Sequence, residues 1–197
     1  MPSLLNLIMN INSIIRESAE LKLKLLDDDG LIRRIGEVIK VTVACYKQKG
    51  KTLFCGNGGS AADAQHLAAE LSGRFYFDRK PLDAEALHVN TSYLTAVAND
   101  YAYNEVYARL VDARGNHGDV LFAFSTSGNS PNIVKALEKA REKAMITVGF
   151  TGGNPGKMDM LCDFIFKMPS ADTPRVQELH ILLGHIICQG IEEQLFG

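Results

Sequence analysis

The sequence predicts an α/β protein: a doubly wound, parallel five-stranded sheet with an added pair of N-terminal helices. Three observations predict it. From Lys51 onward, short and almost wholly apolar runs alternate with helical segments, the pattern of a parallel sheet covered on both faces. Loops rich in glycine and serine follow two of those runs, where open α/β sheets bind ligands. Two long amphipathic segments precede any strand.

The elements follow in order. Residues 3 to 27 set Leu4, Ile8, Ile11, Ile15, Ala19, Leu23 and Leu26 at helical spacing, an apolar stripe that must cap the sheet or meet a second subunit. "DDDG" breaks that helix, and "LIRRIGEVIKVTVACYKQKG" reads as a second one, with Gly50 near its end. "KTLFCG" is the first strand and "GGSAADAQHLAAELSGRF" its helix. "AEALHV" is the second strand, followed by "TSYLTAVAND" and the helical "NEVYARLVDARG". "DVLFAFSTSG" is the third, with "SPNIVKALEKAREKA" as its helix. "MITVGFTG" and "DFIFKM" complete the sheet, and a last helix runs from about Pro174 to Leu195. No linker or repeat divides the 197 residues, so one domain is expected: helices over 1–50, then the α/β core and final helix over 51–197.

Composition sets bounds on function. An apolar content of 46%, 22% charged residues and a net charge of −2 are those of an ordinary globular protein. There is no basic run to suggest nucleic acid or an anionic membrane surface as partner. The N-terminus has no basic leader region and is too polar to span a bilayer. The four cysteines show no metal or disulfide spacing and read as reduced thiols, so the cytoplasm is the expected compartment.

Two loops carry anion-binding chemistry. In "CGNGGS", Asn57, Gly58 and Gly59 form a tight turn and Ser60 stands at a helix start, where backbone N–H groups and the helix dipole favour an anion. "STSGNSPN" places Ser125, Thr126, Ser127, Gly128 and Ser130 after the third strand. Hydroxyls without a lysine or arginine suit a sugar phosphate held by neutral donors. Neither loop matches a nucleotide fingerprint, and either alone could be a serine-capped helix start.

His66 and Glu70, four residues apart, share a helix face. The last helix adds Gln177, His180 and His185 in an apolar setting. His180 and His185 are separated by about 140° around the helix, so one faces a site and the other a structural partner. These are acceptable zinc ligands, but no spacing here is a zinc signature. Gln177 and His185 lie about 12 Å apart along the axis, nearly too far to hold one metal from the same chain.

With "CGNGGSAADAQHLAAELSGRF", "AND", "STSGNSPN" and "RVQELHILLGHI" in order, the chain from about residue 40 onward resembles the sugar isomerase (SIS) domain family, and within it the phosphoheptose isomerases. The resemblance implies a flavodoxin-like homotetramer with sites at subunit boundaries and one Zn2+ per subunit. It implies that Asn57, Gly58, Gly59, Ser60, Asn99, Asp100, Ser125, Thr126, Ser127 and Ser130 contact a sugar phosphate, with Glu70 and Gln177 also touching it. His66, Glu70, Gln177 and His185 match the zinc ligands, and Glu70 and His185 also match the catalytic base and acid. His180 keeps the structural reading. The implied reaction is the isomerisation of sedoheptulose 7-phosphate to an aldose heptose 7-phosphate through an enediol, for lipopolysaccharide core or capsule synthesis.

Two departures stand out. The family commonly has Thr-Asp where this chain has Val89-Asn90, a lost carboxylate that could alter contacts to the sugar; His88 beside it reads as a strand residue. Pro174 lies where relatives vary. The rival class is a non-enzymatic, protein-binding SIS relative of the DnaA initiator-associating type, which lacks the counterparts of Glu70 and His185. A sugar-phosphate sensor would need a DNA-binding module for which there is no room.

Overall fold

A computed structural model of the chain describes residues 4–197. Strands β1 (Thr52–Cys55), β2 (Ala84–Ala86), β3 (Val120–Ser125), β4 (Ile146–Thr151) and β5 (Phe164–Lys167) form one sheet in the order β2-β1-β3-β4-β5. All four pairings are parallel, with Phe54 opposite Phe122 and Phe122 opposite Val148. The helices are α1 (Leu4–Leu26), α2 (Asp29–Lys47), α3 (Gly59–Ser72), α4 (Thr91–Asp100), α5 (Val106–Arg114), α6 (Pro131–Glu142) and α7 (Thr173–Phe196). This is the doubly wound architecture expected from the alternating pattern.

The strands are apolar throughout because both faces are covered. α2, α3 and α7 bury one face over Phe54, Phe122, Phe124, Phe150 and Phe166. α5 and α6, with Tyr107 from α5, bury the other over Leu53, Leu121 and Ala123. The aromatic residues stack across neighbouring strands, Phe54 on Phe122 at 4.8 Å and Phe124 on Phe150 at 4.4 Å between centroids. The four cysteines are free, and three of them are buried.

α3 and α7 run side by side in the same direction. Gln177 lies on Gly59, Gly184 on Leu67 and Glu192 against the segment after α3. Contact is close: a Cβ on Gly184 would stand 2.4 Å from a Leu67 methyl. Beyond α3, a buried ion pair fastens the two helices. Arg79 Nε meets Glu192 Oε1 at 2.8 Å, and the side chains are 2% and 1% exposed. The guanidinium also donates to the carbonyls of Glu70, Leu71 and Gly73, which the end of α3 leaves unpaired. Glu192 accepts the N–H groups of Phe75, Tyr76 and Phe77.

Of the two roles expected for the α1 stripe, capping the sheet does not hold, and the second strand is shorter than expected. The α1 stripe faces outward: Ile11, Ile15, Leu23 and Leu26 are 47%, 64%, 60% and 69% exposed, and Ala19 is exposed as well. The side chains of Leu4 and Ile8 lie outside the described residues. α1 instead turns Leu21 and Leu25 inward and rests on α7, where the Ser18 hydroxyl donates to Glu178 at 2.6 Å, so the sheet is capped by α2 and α7 and not by α1. The second strand stops at Ala86, because the chain turns there to start α4; His88 therefore lies past the strand. "TSYLTAVAND" is a helix of its own.

His180 keeps its structural reading. It is fully buried between Phe124 and Phe150, its Nε2 donates to the Thr151 carbonyl at 3.3 Å, and its Nδ1 has no partner. Burial pushes its pKa down to about 4 from 6.5, and the Thr151 bond opposes this only in part. The unfolded chain therefore binds the extra proton first. Stability should be complete above pH 6.5 and fall by about 3 kcal/mol as pH drops toward 4. Urea unfolding across that range should show the slope in the parent and a flatter profile in His180→Phe; equal slopes would remove His180 as its cause.

Candidate active site

The strand order reverses between β1 and β3, the switch point at whose carboxyl strand ends open α/β sheets bind ligands. Both predicted anion loops lie at this point. The first leaves β1 through Gly56 and Asn57. Gly58 adopts a left-handed φ of 56°, and Gly59 begins α3 so close to Gln177 that a Cβ would stand 2.6 Å from its amide nitrogen. Ser60 is not a cap: α3 begins one residue earlier, Gly58 supplies no side-chain bond, and Ser60 is buried within the first turn.

The second loop gathers hydroxyls. Ser125 Oγ lies 2.9 Å from Ser130 Oγ and 3.4 Å from Ser127 Oγ, and Gly128 has a φ of 64°. Ser130 is the residue before α6, yet its side chain makes no bond to that helix. Thr126 turns its carbonyl to the Gly152 N–H. Asp28 accepts from Leu31 N–H at α2 and Asn90 from Tyr93 N–H at α4, whereas α3, α5, α6 and α7 start without a side-chain cap. At the starts of α3 and α6 the N–H groups of Ser60, Ala61, Ala62, Ile133 and Val134 bond to the carbonyls of Asn57, Gly58 and Ser130, so the free polar groups these loops gather are the serine hydroxyls.

Asn99 and Asp100 end α4 and are exposed; the Asn99 amide donates to Asp100 Oδ1 at 2.9 Å. Asn90 has a local role that either Asn or Asp can fill, so the missing carboxylate of the Val89-Asn90 pair leaves the helix start intact. His88 reaches Gln65 Oε1 at 3.3 Å and ties this turn to α3; burial lowers its pKa.

His66, Glu70 and His185 come together on the helical layer. His66 Nε2 lies 2.9 Å from His185 Nε2 and 3.1 Å from Glu70 Oε1, and one ligand atom from each residue falls within 4.8 Å of the others. Two imidazole nitrogens and a carboxylate oxygen aimed at one point form a donor set that fits zinc. Burial lowers the pKa of His185, His66 lowers it further, and Glu70 opposes both. Gln177 stands apart, on Gly59 and about 12 Å from His185 along α7. The triad itself begins about 10 Å along α3 from Gly59.

Sequence reasoning passed over three residues. Asp63 sits one turn before His66 with Oδ2 unpartnered, and burial raises its pKa to about 6 against the opposing effect of His66. Its spacing from His66 was the available signal. Asn132 and Tyr103 bond to Asn57 across loops remote in sequence, and no spacing reveals them.

The sheet order is that of doubly wound α/β domains, and the chain belongs to the SIS domain family, whose model matches residues 15–152. It is 50% identical over 187 residues to a phosphoheptose isomerase of Clostridium acetobutylicum, covering 95% of each chain. Among solved structures, it is similar to a phosphoheptose isomerase from Francisella tularensis, with a TM-score of 0.90 and 34% identity over 94% of this chain and 98% of that one. One from Neisseria gonorrhoeae gives 0.89 and 38% over 95% and 99%. Within the SIS family the chain therefore stands with the phosphoheptose isomerases and is an isomerase, which sets aside the protein-binding alternative. Among the described residues, no helix is long and apolar enough to cross a membrane.

If Asn90 acts only as a cap, Asn90→Asp should leave the unfolding midpoint and turnover unchanged, while Asn90→Ala should cost about 1 kcal/mol. A raised KM in Asn90→Asp at unchanged stability would place this side chain against the substrate instead.

Proposed function

We propose that the chain, as a single domain over residues 1–197, converts sedoheptulose 7-phosphate to D-glycero-D-manno-heptose 7-phosphate for lipopolysaccharide core or capsule synthesis in the cytoplasm. The observation that carries the reading is the cluster of serine hydroxyls after β3, at the same strand ends as the glycine turn into α3, together with the His-Glu-His group that α3 and α7 assemble. The serine loop takes the phosphate, and Asn57, Gly58, Gly59 and Ser60 close over it. Asn99 and Asp100 meet the sugar hydroxyls.

Moving the carbonyl from C2 to C1 takes a proton from C1 and returns one to C2. Glu70 does this through the carboxylate oxygen that is not turned to His66, and His185 protonates the carbonyl oxygen as the enediol forms. Burial lowers the His185 pKa, so the imidazole is neutral near pH 7; giving its N–H proton to the C2 oxygen leaves a transient imidazolate, which takes the C1 hydroxyl proton as the aldose carbonyl forms. Zinc, one per subunit, would be held by His66, Glu70 and His185, with the partner subunit's Gln177 as fourth ligand. When bound, the metal supplies a Lewis-acidic centre that polarises the sugar oxygens.

The assembly proposed is a homotetramer with sites at subunit boundaries. Its support is an apolar groove lined by Leu23, Leu26, Ile32 and Ile186, of which Ile186 follows His185 directly. Exposed apolar surface of this kind is costly in a free monomer. The gap between the phosphate cradle and the triad, and the distance of Gln177 from His185, both call for a second copy.

Incubation with sedoheptulose 7-phosphate in D2O should place deuterium at C2 of an aldose 7-phosphate, and a chelator should stop it. No turnover with zinc restored would sink the substrate assignment. Glu70→Gln should lower kcat by about a thousandfold with fold and oligomer intact; near-normal turnover would remove Glu70 as the base. Ser127→Ala should raise KM about tenfold with little change in kcat, and an unchanged KM would count against the phosphate cradle.

A further inference from the structure

The Asn57 side chain, expected to contact the substrate, is already engaged within the chain. Its Oδ1 accepts from Asn132 Nδ2 at 2.9 Å and from the Tyr103 hydroxyl at 3.1 Å, and its Nδ2 donates to Asn132 Oδ1 at 2.9 Å. A primary amide has two acceptor sites and two donor hydrogens. Both acceptor sites and one hydrogen are used, which leaves a single N–H for a ligand.

The orientation is determined by chemistry. Asn132 Oδ1 also accepts the Ile133 N–H at 3.0 Å, so that atom must be the oxygen. Reciprocity then sets the Asn57 amide, and the Tyr103 hydroxyl must donate to it. Asn132 is 2% exposed, so this pair is shielded from competing water. Tyr103 is 48% exposed and reaches in from the surface.

The three partners come from three loops at the crevice. Asn57 lies in the glycine turn after β1. Asn132 lies two residues beyond Ser130, at the start of α6. Tyr103 lies three residues beyond Asp100, in the turn Tyr103–Glu105. Tyr107 adds a hydroxyl bond to the Gly56 carbonyl at the root of the same turn. We infer that Asn57 is the hub that registers these loops against one another, and that Tyr103 and Asn132 are positioning residues for the isomerisation, acting through Asn57 and not by touching the sugar. The hub sets the distance between the glycine turn and the serine cluster, so its loss should weaken binding before it slows chemistry. The inference rests on the sugar-phosphate reading for its kinetic consequence and on the hydrogen bonds alone for the loop order.

The test is Tyr103→Phe, which removes one exposed hydroxyl and no packing, made in the parent and in an Asn57→Ala background, with Asn57→Ser as a second background if the first does not fold. In the parent, KM for sedoheptulose 7-phosphate should rise about fivefold with kcat within about twofold. In the Asn57 variant the same change should have no further effect, because the partner is gone. Equal effects in both backgrounds would mean that Tyr103 meets the sugar itself, and an unchanged KM in the parent would remove it from the site; either result overturns the inference. Hydrogen exchange of a peptide spanning Cys55–Ala61, measured without substrate, should be about fivefold faster in Tyr103→Phe. Unchanged exchange overturns the hub even if the sugar is the right one, whereas faster exchange in a protein that does not turn over the heptulose upholds the hub and sinks only the substrate.

Discussion

The Arg79–Glu192 ion pair is the constraint on which the helical layer depends. Both groups are removed from water, and such a pair persists only when every donor and acceptor is met. Here the guanidinium closes the carbonyl end of α3 while the carboxylate closes the N–H groups of the segment that follows. The consequence reaches the chemistry directly. Arg79 holds the carbonyl of Glu70, Glu192 stands two turns beyond His185, and Phe75, bound by Glu192, places its ring 5.8 Å from that imidazole. The ion pair thus sets how His66 and Glu70 on one helix face His185 on the other.

The opposite end of the same helix pair is built on a different principle. Helices α3 and α6 begin without side-chain caps, and the serine hydroxyls bond to each other instead of to a helix. An ion pair closes one end of α3, while a glycine turn without a side-chain cap opens the other.

The outer face of α1 and the ridge containing Ile186 follow from the same geometry. Because α3 and α7 are parallel, the triad emerges on the outside of the helical layer and not in the crevice, beside exposed leucines and isoleucines. The homotetramer proposed above would lay a second copy over that face.

Much of this was legible in the chain. Apolar runs of strand length separated by helical periods require a parallel sheet, and glycine and serine after two of them mark the crevice, because the backbone there must approach a ligand closely. His66 and Glu70 could be paired from their spacing alone. What sequence could not reach were contacts between distant segments. The side of α1 that faces inward depends on where α7 lies, so the obvious apolar stripe proved to be the outer one. His185 was separated from His180 only by the helix direction that buries one between phenylalanines and turns the other to His66. The hub of Asn57, Asn132 and Tyr103 had no local signature at all. Periodicity and loop chemistry act over a few residues and are written in the sequence; the meeting of side chains from remote loops is decided by packing, and only the tertiary structure supplies it.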